Sequence, residues 1–563
     1  MTKIWISEIE FNDETKISVD KNEIIVFVGP NNAGKSATLK ETINMLRSKV
    51  SGEQNSKVVK DITISKEGDE TMFRTFIENI STKKFQGAPE AFYQGYGYSV
   101  YSAQIQQCWM NSENGLGDTT SIFANMLGTE DRLKAANPAP NIKLTTDPIT
   151  HPIHYLQKHD ELEFKFSNYF RQAFGSDLIV HRNAGNEVPL YVGEKPLLAT
   201  GEDRVSSNYL TELETRDLLH EQGDGMRSFV GVLLTSFISN HSSLFIDEPE
   251  AFLHPPQARL LGKMLAKDLP SERQLFLATH SEDFLKGLLD ANVLNLKIIR
   301  IQRNGSVNKI SVLNSRDIQS VWNDSLLRHS NILNGLFHTK VVICESDSDC
   351  RFYSAILSSL YDNTNEISPD FLFIHCGGKH RIPVVIKSLV KLNVPIKVIS
   401  DFDVLNNINP LQSIFIELGG VWSDIQQDWN TVKKSIDQKR PELQTTELKK
   451  ELDDILASVQ DQIFPKEKIK KIQETLKKAS AWAHAKEVGK QFIPSGDPTQ
   501  AFDRLQLKFK DVGLLILEVG ELEGFVKSIG NHGPKWVNDV LTKDLKNDPD
   551  LEIARMFVKQ LAI

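Results

Sequence analysis

The stretch "GPNNAGKS", residues 29–36, is the first whose residue types and spacing could do chemistry. It fits G-x4-GK[ST] in full: glycines let backbone amides turn towards a phosphate, Lys35 reaches the outer phosphates and Ser36 takes Mg2+. Gly29, Asn32, Gly34, Lys35 and Ser36 are the expected nucleotide ligands. Further on, the apolar run "SSLFI" ends in Asp247-Glu248. One acid at such a strand end can hold the Mg2+ shell, and the next can orient and deprotonate an attacking water. A third apolar run closes in "ATHS", which puts His280 where it could meet a γ-phosphate.

A different chemistry is offered by carboxylates in the second half. Glu345 follows "KVVIC", and "SDFD" supplies Asp401 and Asp403. Short apolar runs alternate there with helical patterns, which implies parallel strands whose C-terminal ends gather on one sheet edge. Three carboxylates brought to one edge repel unless a divalent cation neutralises them. Oxygen-only ligands point to Mg2+ or Mn2+, and such a site serves phosphodiester chemistry. Two separate, solvated loop ends are the bland alternative.

The elements that must position these groups are legible. "NEIIVFVGPNNAGKSATLKETINML" reads strand, glycine loop, helix, and its apolar run suits a strand buried on both faces. "QLFLATHSEDFL" reads as another strand entering a helix. About 210 residues separate Ser36 from Asp247 without sustained heptads, which excludes a long coiled-coil arm. That stretch holds Asn/Gly/Pro-rich sequence and the strand-like "DLIVHRNAGNEVPLYVGEKP" with a turn at "NAGNE". A compact head over 1–335, with an inserted dimer-forming element at about 100–215, is the expectation. A second domain follows over 336–563, interrupted by helix-forming sequence at about 425–495. Within it, residues 466–490 carry eight Lys against three Glu, either a solvated helix face or a helix that tracks phosphates.

At 563 residues the chain should hold several domains, and its net charge of -9 gives no whole-chain sign of nucleic acid. A local groove of Lys and Arg would suffice to hold one. The four cysteines form no CxxC pair, so free buried thiols in a reducing cytoplasm are expected. The start has no signal-peptide pattern, and no run of 18 apolar residues occurs; the expectation is a soluble cytoplasmic protein.

The set "GPNNAGKS", "LFIDEPEAFLHP" and "ATHS" resembles the ABC-type ATPase heads of the structural-maintenance and RecF-like group. The resemblance implies ATP sandwiched between two copies, with a signature loop ahead of Asp247. "EQGDGMRSFVGVLL" (221–234) sits in that place, and Gly223 and Gly225 would bring backbone near the γ-phosphate, although the usual Ser-Gly-Gly core is missing. Gln104, Gln106 and Gln107 are candidates for a Q-loop. The later pattern, one Glu after a strand and Asp-x-Asp after another, resembles a Toprim domain. Ser346 stands where Gly is usual, Asp349 matches an acidic catalytic position on the first helix, and "CGGK" resembles a glycine-lysine turn of some relatives. In two-metal members a later glutamate and a lysine complete the site, for which Glu521, Glu523 and Lys535 are candidates.

An ABC-type P-loop ATPase domain followed by a Toprim domain with a Rossmann-like parallel sheet and a helical insertion is an α/β arrangement. It resembles the OLD (overcoming lysogenisation defect) ATPase-nucleases, including the nuclease subunit of Gabija systems and effectors encoded beside retron reverse transcriptases. The resemblance implies a DNA endonuclease or nickase using ATP and Mg2+ or Mn2+, dimeric or tetrameric through its head and often antiviral. It leaves the partner open between a helicase, a reverse transcriptase with its RNA–DNA product, and none. Other readings are a RecF-like DNA-clamping ATPase with a non-catalytic Toprim half, a topoisomerase or primase, and a transporter subunit. Zinc-ribbon cysteines for a primase are missing, and a transporter gives the carboxylates no role.

Overall fold

A computed structural model describes residues 3–48, 56–84, 91–270, 272–313, 315–324, 331–439, 445–459, 463–478 and 480–562. The chain divides into two compact units, residues 1–323 and 324–563.

The first unit is built on a six-stranded sheet in the order Val307–Leu313, Leu296–Asn304, Ile24–Val28, Gln274–Ala278, Ser243–Asp247, Ala124–Leu127. Only the pairing of Leu296–Asn304 with Val307–Leu313 is antiparallel; the other four are parallel. Every residue of Ile24–Val28 and Gln274–Ala278 is buried, as continuous apolar runs covered on both faces should be. Against this sheet lies a three-stranded antiparallel sheet of Lys16–Ser18, Lys3–Phe11 and Val59–Glu67. Helix Lys35–Arg47 sits in the core between them, where Leu39 and Met45 join Phe11, Val59, Phe245 and Phe276. The run read as strand, turn, strand at "DLIVHRNAGNEVPLYVGEKP" pairs Asp177–Val180 antiparallel with Leu190–Gly193.

The second unit carries a four-stranded sheet, parallel throughout, in the order Phe371–His375, Lys340–Cys344, Ile396–Ser400, Leu514–Ile516. Helices Asp347–Tyr361 and Ile382–Lys391 make the first two crossovers. The passage from Ile396–Ser400 to Leu514–Ile516 is helical throughout its described part, from Ile408–Glu417 to Asp497–Asp511. The C-terminal helix Glu552–Ala562 packs on Asp347–Tyr361 around Phe352, Tyr353, Trp536 and Val558. All four cysteines are free and buried. Among the described residues no helix is long and apolar enough to cross a membrane.

Candidate functional site

In the first unit the parallel strands deliver three groups to one edge. The loop after Ile24–Val28 enters helix Lys35–Arg47 through Asn32 and Gly34, both at positive φ (60° and 99°). Gly29 is needed for a second reason: a Cβ there would stand 2.0 Å from the Ile301 carbonyl oxygen of the neighbouring strand. Lys35 Nζ donates to the carbonyls of Gly29 (2.7 Å) and Pro30 (2.9 Å), and burial pushes its pKa down. Ser36 Oγ donates to Asp247 Oδ1 at 2.8 Å across 211 residues of sequence. That hydroxyl-carboxylate pair is the donor set a nucleotide-bound Mg2+ takes. Burial raises the Asp247 pKa, Ser36 opposes this, and Glu248 adds like charge.

Glu248 lies half-exposed at the strand end, and His280 Nδ1 stands 3.3 Å from its Oε1. The placement of His280 depends on Glu250, which the sequence reading passed over. Glu250 is buried, accepts from Thr279 Oγ1 (2.8 Å) and from the His280 backbone N–H (3.2 Å), and so fixes the "ATHS" turn. Gly223 caps helix Asp224–Ile238 with open space where a Cβ would be. Gly225 is instead a packing glycine, because a Cβ there would meet the Phe252 carbonyl oxygen at 2.8 Å. The three glutamines belong to helix Ser102–Met110, where Gln104 accepts from the Tyr101 N–H and donates to Asp118, a capping role.

In the second unit the sheet brings Glu345, Asp401 and Asp403 together, with one ligand oxygen from each lying within 4.8 Å of the others. Glu345 ends one strand and Asp401 its parallel neighbour, and the Asp401 N–H donates to Glu345 Oε1 at 3.3 Å. Burial first, then the charges of Asp401 and Asp403, push the Glu345 pKa up to about 7. Burial also raises that of Asp401. Two ammonium groups answer part of this charge. Lys379, which follows the positive-φ pair Gly377-Gly378, donates to Asp403 Oδ2 at 2.7 Å, and Lys486 lies 2.8 Å from Asp401 Oδ2. Asp403 Oδ1 is buried with no hydrogen-bond partner among the described residues. An all-oxygen cluster, short of positive charge and with an orphaned acceptor, fits a hard divalent cation.

Asp349 stands outside that cluster. Its carboxylate accepts from the Ser346 N–H (2.8 Å) and Oγ (2.9 Å), closing a capping box on helix Asp347–Tyr361. This gives Ser346 a reason to replace the usual glycine. Burial, then the charge of Asp401, raises the Asp349 pKa to about 6. Glu521 and Glu523 form a second cluster with His532, again within 4.8 Å. Glu523 Oε1 accepts from the Gly533 N–H at 2.7 Å, and burial followed by the charge of Glu523 lifts Glu521 to about 7. Asp401 feels the charge of Glu523, so the two clusters are neighbours. Lys535 is exposed on helix Pro534–Leu541, and Lys486 holds the position expected of it beside the carboxylates.

Residues 135–285, which include Asp247, Glu248 and His280, match the family described as "AAA domain, putative AbiEii toxin, Type IV TA system". Residues 336–403, which carry Glu345, Asp401 and Asp403, match "Overcoming lysogenization defect protein-like, TOPRIM domain". The second unit thus carries an OLD-like TOPRIM domain. It is 23% identical over 178 residues to the Old nuclease of Escherichia phage P2, a match covering 30% of this chain and 29% of the phage protein. The chain thus spans less than a third of that relative's length. An uncharacterized protein of Methanocaldococcus jannaschii, MJECL11, is 32% identical over 97 residues, covering 16% of this chain and 84% of that one. Among solved structures, an Smc head bound to the C-winged helix domain of ScpA aligns with a TM-score of 0.34 at 12% identity, over 56% of this chain and 99% of that one. The SMC head domain from Thermotoga maritima aligns with a TM-score of 0.28 at 12% identity, over 55% and 98%.

The sequence reading missed Glu250, Lys486 and His532, and it quoted Lys379 in the "CGGK" turn without giving it a carboxylate to meet. Glu250 was hidden inside the quoted "DEPEAF" because a buried strand-end acid reads like any turn acid. Lys379 was in plain view after the glycine pair. Lys486 was one of eight lysines with nothing to single it out, until Gly489 and Gly520 are seen to lock its helix. A Cβ on Gly520 would lie 2.1 Å from the Lys486 carbonyl oxygen, and one on Gly489 2.2 Å from that of Glu518. His532 carried no spacing signal.

Proposed function

We propose that this chain is an ATP-controlled, divalent-metal-dependent DNA endonuclease or nickase. The observation that carries the reading is the convergence of Glu345, Asp401 and Asp403 at a parallel-sheet edge with the Asp403 Oδ1 acceptor unanswered. Glu345, Asp401 and Asp403 would hold one Mg2+ or Mn2+, and Glu521 and Glu523, joined by His532, a second. When bound, such ions supply a nucleophilic hydroxide and stabilise the leaving oxygen of a phosphodiester. Lys486 and Lys379 hold Asp401 and Asp403 in place and offer positive charge towards a phosphate. Lys35 and Ser36 would bind ATP, with Asp247 in the Mg2+ shell, Glu248 as the base for water, and His280 at the γ-phosphate. Gly223 is open to meet nucleotide on a second copy, which supports assembly through the head. A role in defence against phage, and a reverse transcriptase or helicase as partner, rest on the resemblance to OLD proteins alone.

The second reading, a DNA-clamping ATPase whose Toprim half holds no metal, is favoured by one observation: Lys379 and Lys486 already pair with two of the acids. The raised pKa of Glu345 weighs against it: burial is the first cause, and the charges of Asp401 and Asp403 then outweigh those of Lys486 and Lys379. The test is cleavage of supercoiled plasmid with Mg2+ or Mn2+, with and without ATP. Cutting that Glu345→Ala abolishes, and that ATP changes only when Lys35 is intact, is expected. Metal-independent cutting, or cutting untouched by Glu345→Ala, would overturn the reading.

A further inference from the structure

Glu248 stands at φ +49°, in the left-handed region that side chains other than glycine rarely adopt, and it precedes a proline. Such a conformation persists only where the surroundings over-determine it. Its own backbone gives part of the reason: the Glu248 N–H donates to the Ala278 carbonyl at 2.8 Å, and its carbonyl accepts from the Ala251 N–H at 2.9 Å. The rest comes from a residue 116 positions away in sequence. Arg132, on the short helix Thr129–Ala135 that follows the sheet's edge strand, is fully buried. Its Nη1 donates to the carbonyls of Asp247 (3.0 Å) and Glu248 (2.5 Å), and its Nη2 to Thr129 Oγ1 (3.0 Å).

We propose that Arg132 is a positioning residue for ATP hydrolysis, clamping the Asp247-Glu248 peptide so that the Glu248 carboxylate faces the attacking water. All three of its hydrogen bonds go to neutral oxygens, which a neutral side chain would serve at lower desolvation cost. What the guanidinium adds is a fixed planar fork and a positive charge amid Asp247, Glu248 and Glu250, all of which act on it electrostatically. Its backbone is fixed in turn by helix Asp224–Ile238, the helix that Gly223 caps. Gly231 of that helix lies so close that a Cβ would stand 2.1 Å from the Arg132 carbonyl oxygen.

The proposal rests on the reading of this unit as an ATP hydrolase, and the experiment separates the two. Steady-state phosphate release is measured against ATP concentration for the wild type, Arg132→Gln, Arg132→Lys, Glu248→Gln and the Arg132→Gln/Glu248→Gln double variant. Binding of a fluorescent ATP analogue is measured for each. The expected result is a kcat at least about tenfold lower in Arg132→Gln, within the range for general-base effects, with KM and analogue binding unchanged. Arg132→Lys should recover part of the rate, and the Arg132 substitution should cost nothing further once Glu248 is glutamine. A kcat near the wild-type value in Arg132→Gln, or full additivity in the double variant, would overturn the positioning role and leave the hydrolase reading standing. A wild type that binds the analogue and releases no phosphate overturns both.

Discussion

At Glu345 a proton and a metal ion compete for one oxygen. Burial and two neighbouring aspartates lift its pKa from 4.5 to about 7 in the metal-free fold, so folded protein binds more protons there than unfolded chain across that window. The sign follows: this group's contribution to stability is present below pH 4.5 and is lost as pH rises through 7. Metal binding must expel the proton, so Mn2+ should bind more tightly at pH 8 than at pH 6 and release protons at the lower pH. Thermal melting with and without Mn2+ at both values checks this; an equal stabilisation at the two would contradict it. Lys486→Met removes a cation that competes for Asp401. The metal-free protein should then melt lower, and its gain in melting temperature on adding Mn2+ should exceed that of the wild type. These acids were legible because each ends an apolar strand. The lysines that tune them were not, because a lysine's place in space is set by packing between segments far apart in sequence.

Among the elements, the buried strands carried the clearest signal: runs such as "IIVFV" and "LFLA" leave little choice when both sheet faces are covered. Asp349 shows the opposite case, since "ESDSD" reads equally as ligands or as a helix start, and the fold uses it as a cap. Close approaches between elements were equally hidden, because a glycine tells nothing of what it touches until the partner backbone is placed. Gly520 is the sharpest instance, at φ +103° with the Lys486 carbonyl in the way of any side chain. Gly520→Ala should destabilise the second unit by about 1–3 kcal/mol through strain and overpacking. Urea unfolding followed by a probe in that unit measures the loss, and an unchanged midpoint would mean that the close approach carries no strain.

For the whole molecule, the four buried free cysteines make a simple check on the assembled fold. A thiol reagent such as Ellman's should label essentially none in native protein and all four after denaturation. Rapid native labelling would mean that the strands around Cys344, Cys350 and Cys376 are packed otherwise. Composition and charge could not have located either site, because a net charge of -9 averages over local clusters of both signs. The second unit's topology also sets an order in time. Its strand Leu514–Ile516 and the Glu521/Glu523 pair lie about 170–180 residues after Glu345, beyond the whole helical passage. At synthesis rates of about 5–20 residues per second, a ribosome needs on the order of ten seconds or more to cover that distance. A nascent chain therefore carries Glu345, Asp401 and Asp403 on strands that already pair with one another well before the edge strand and the Glu521/Glu523 pair exist, so the second carboxylate cluster is the last part of the site to be made.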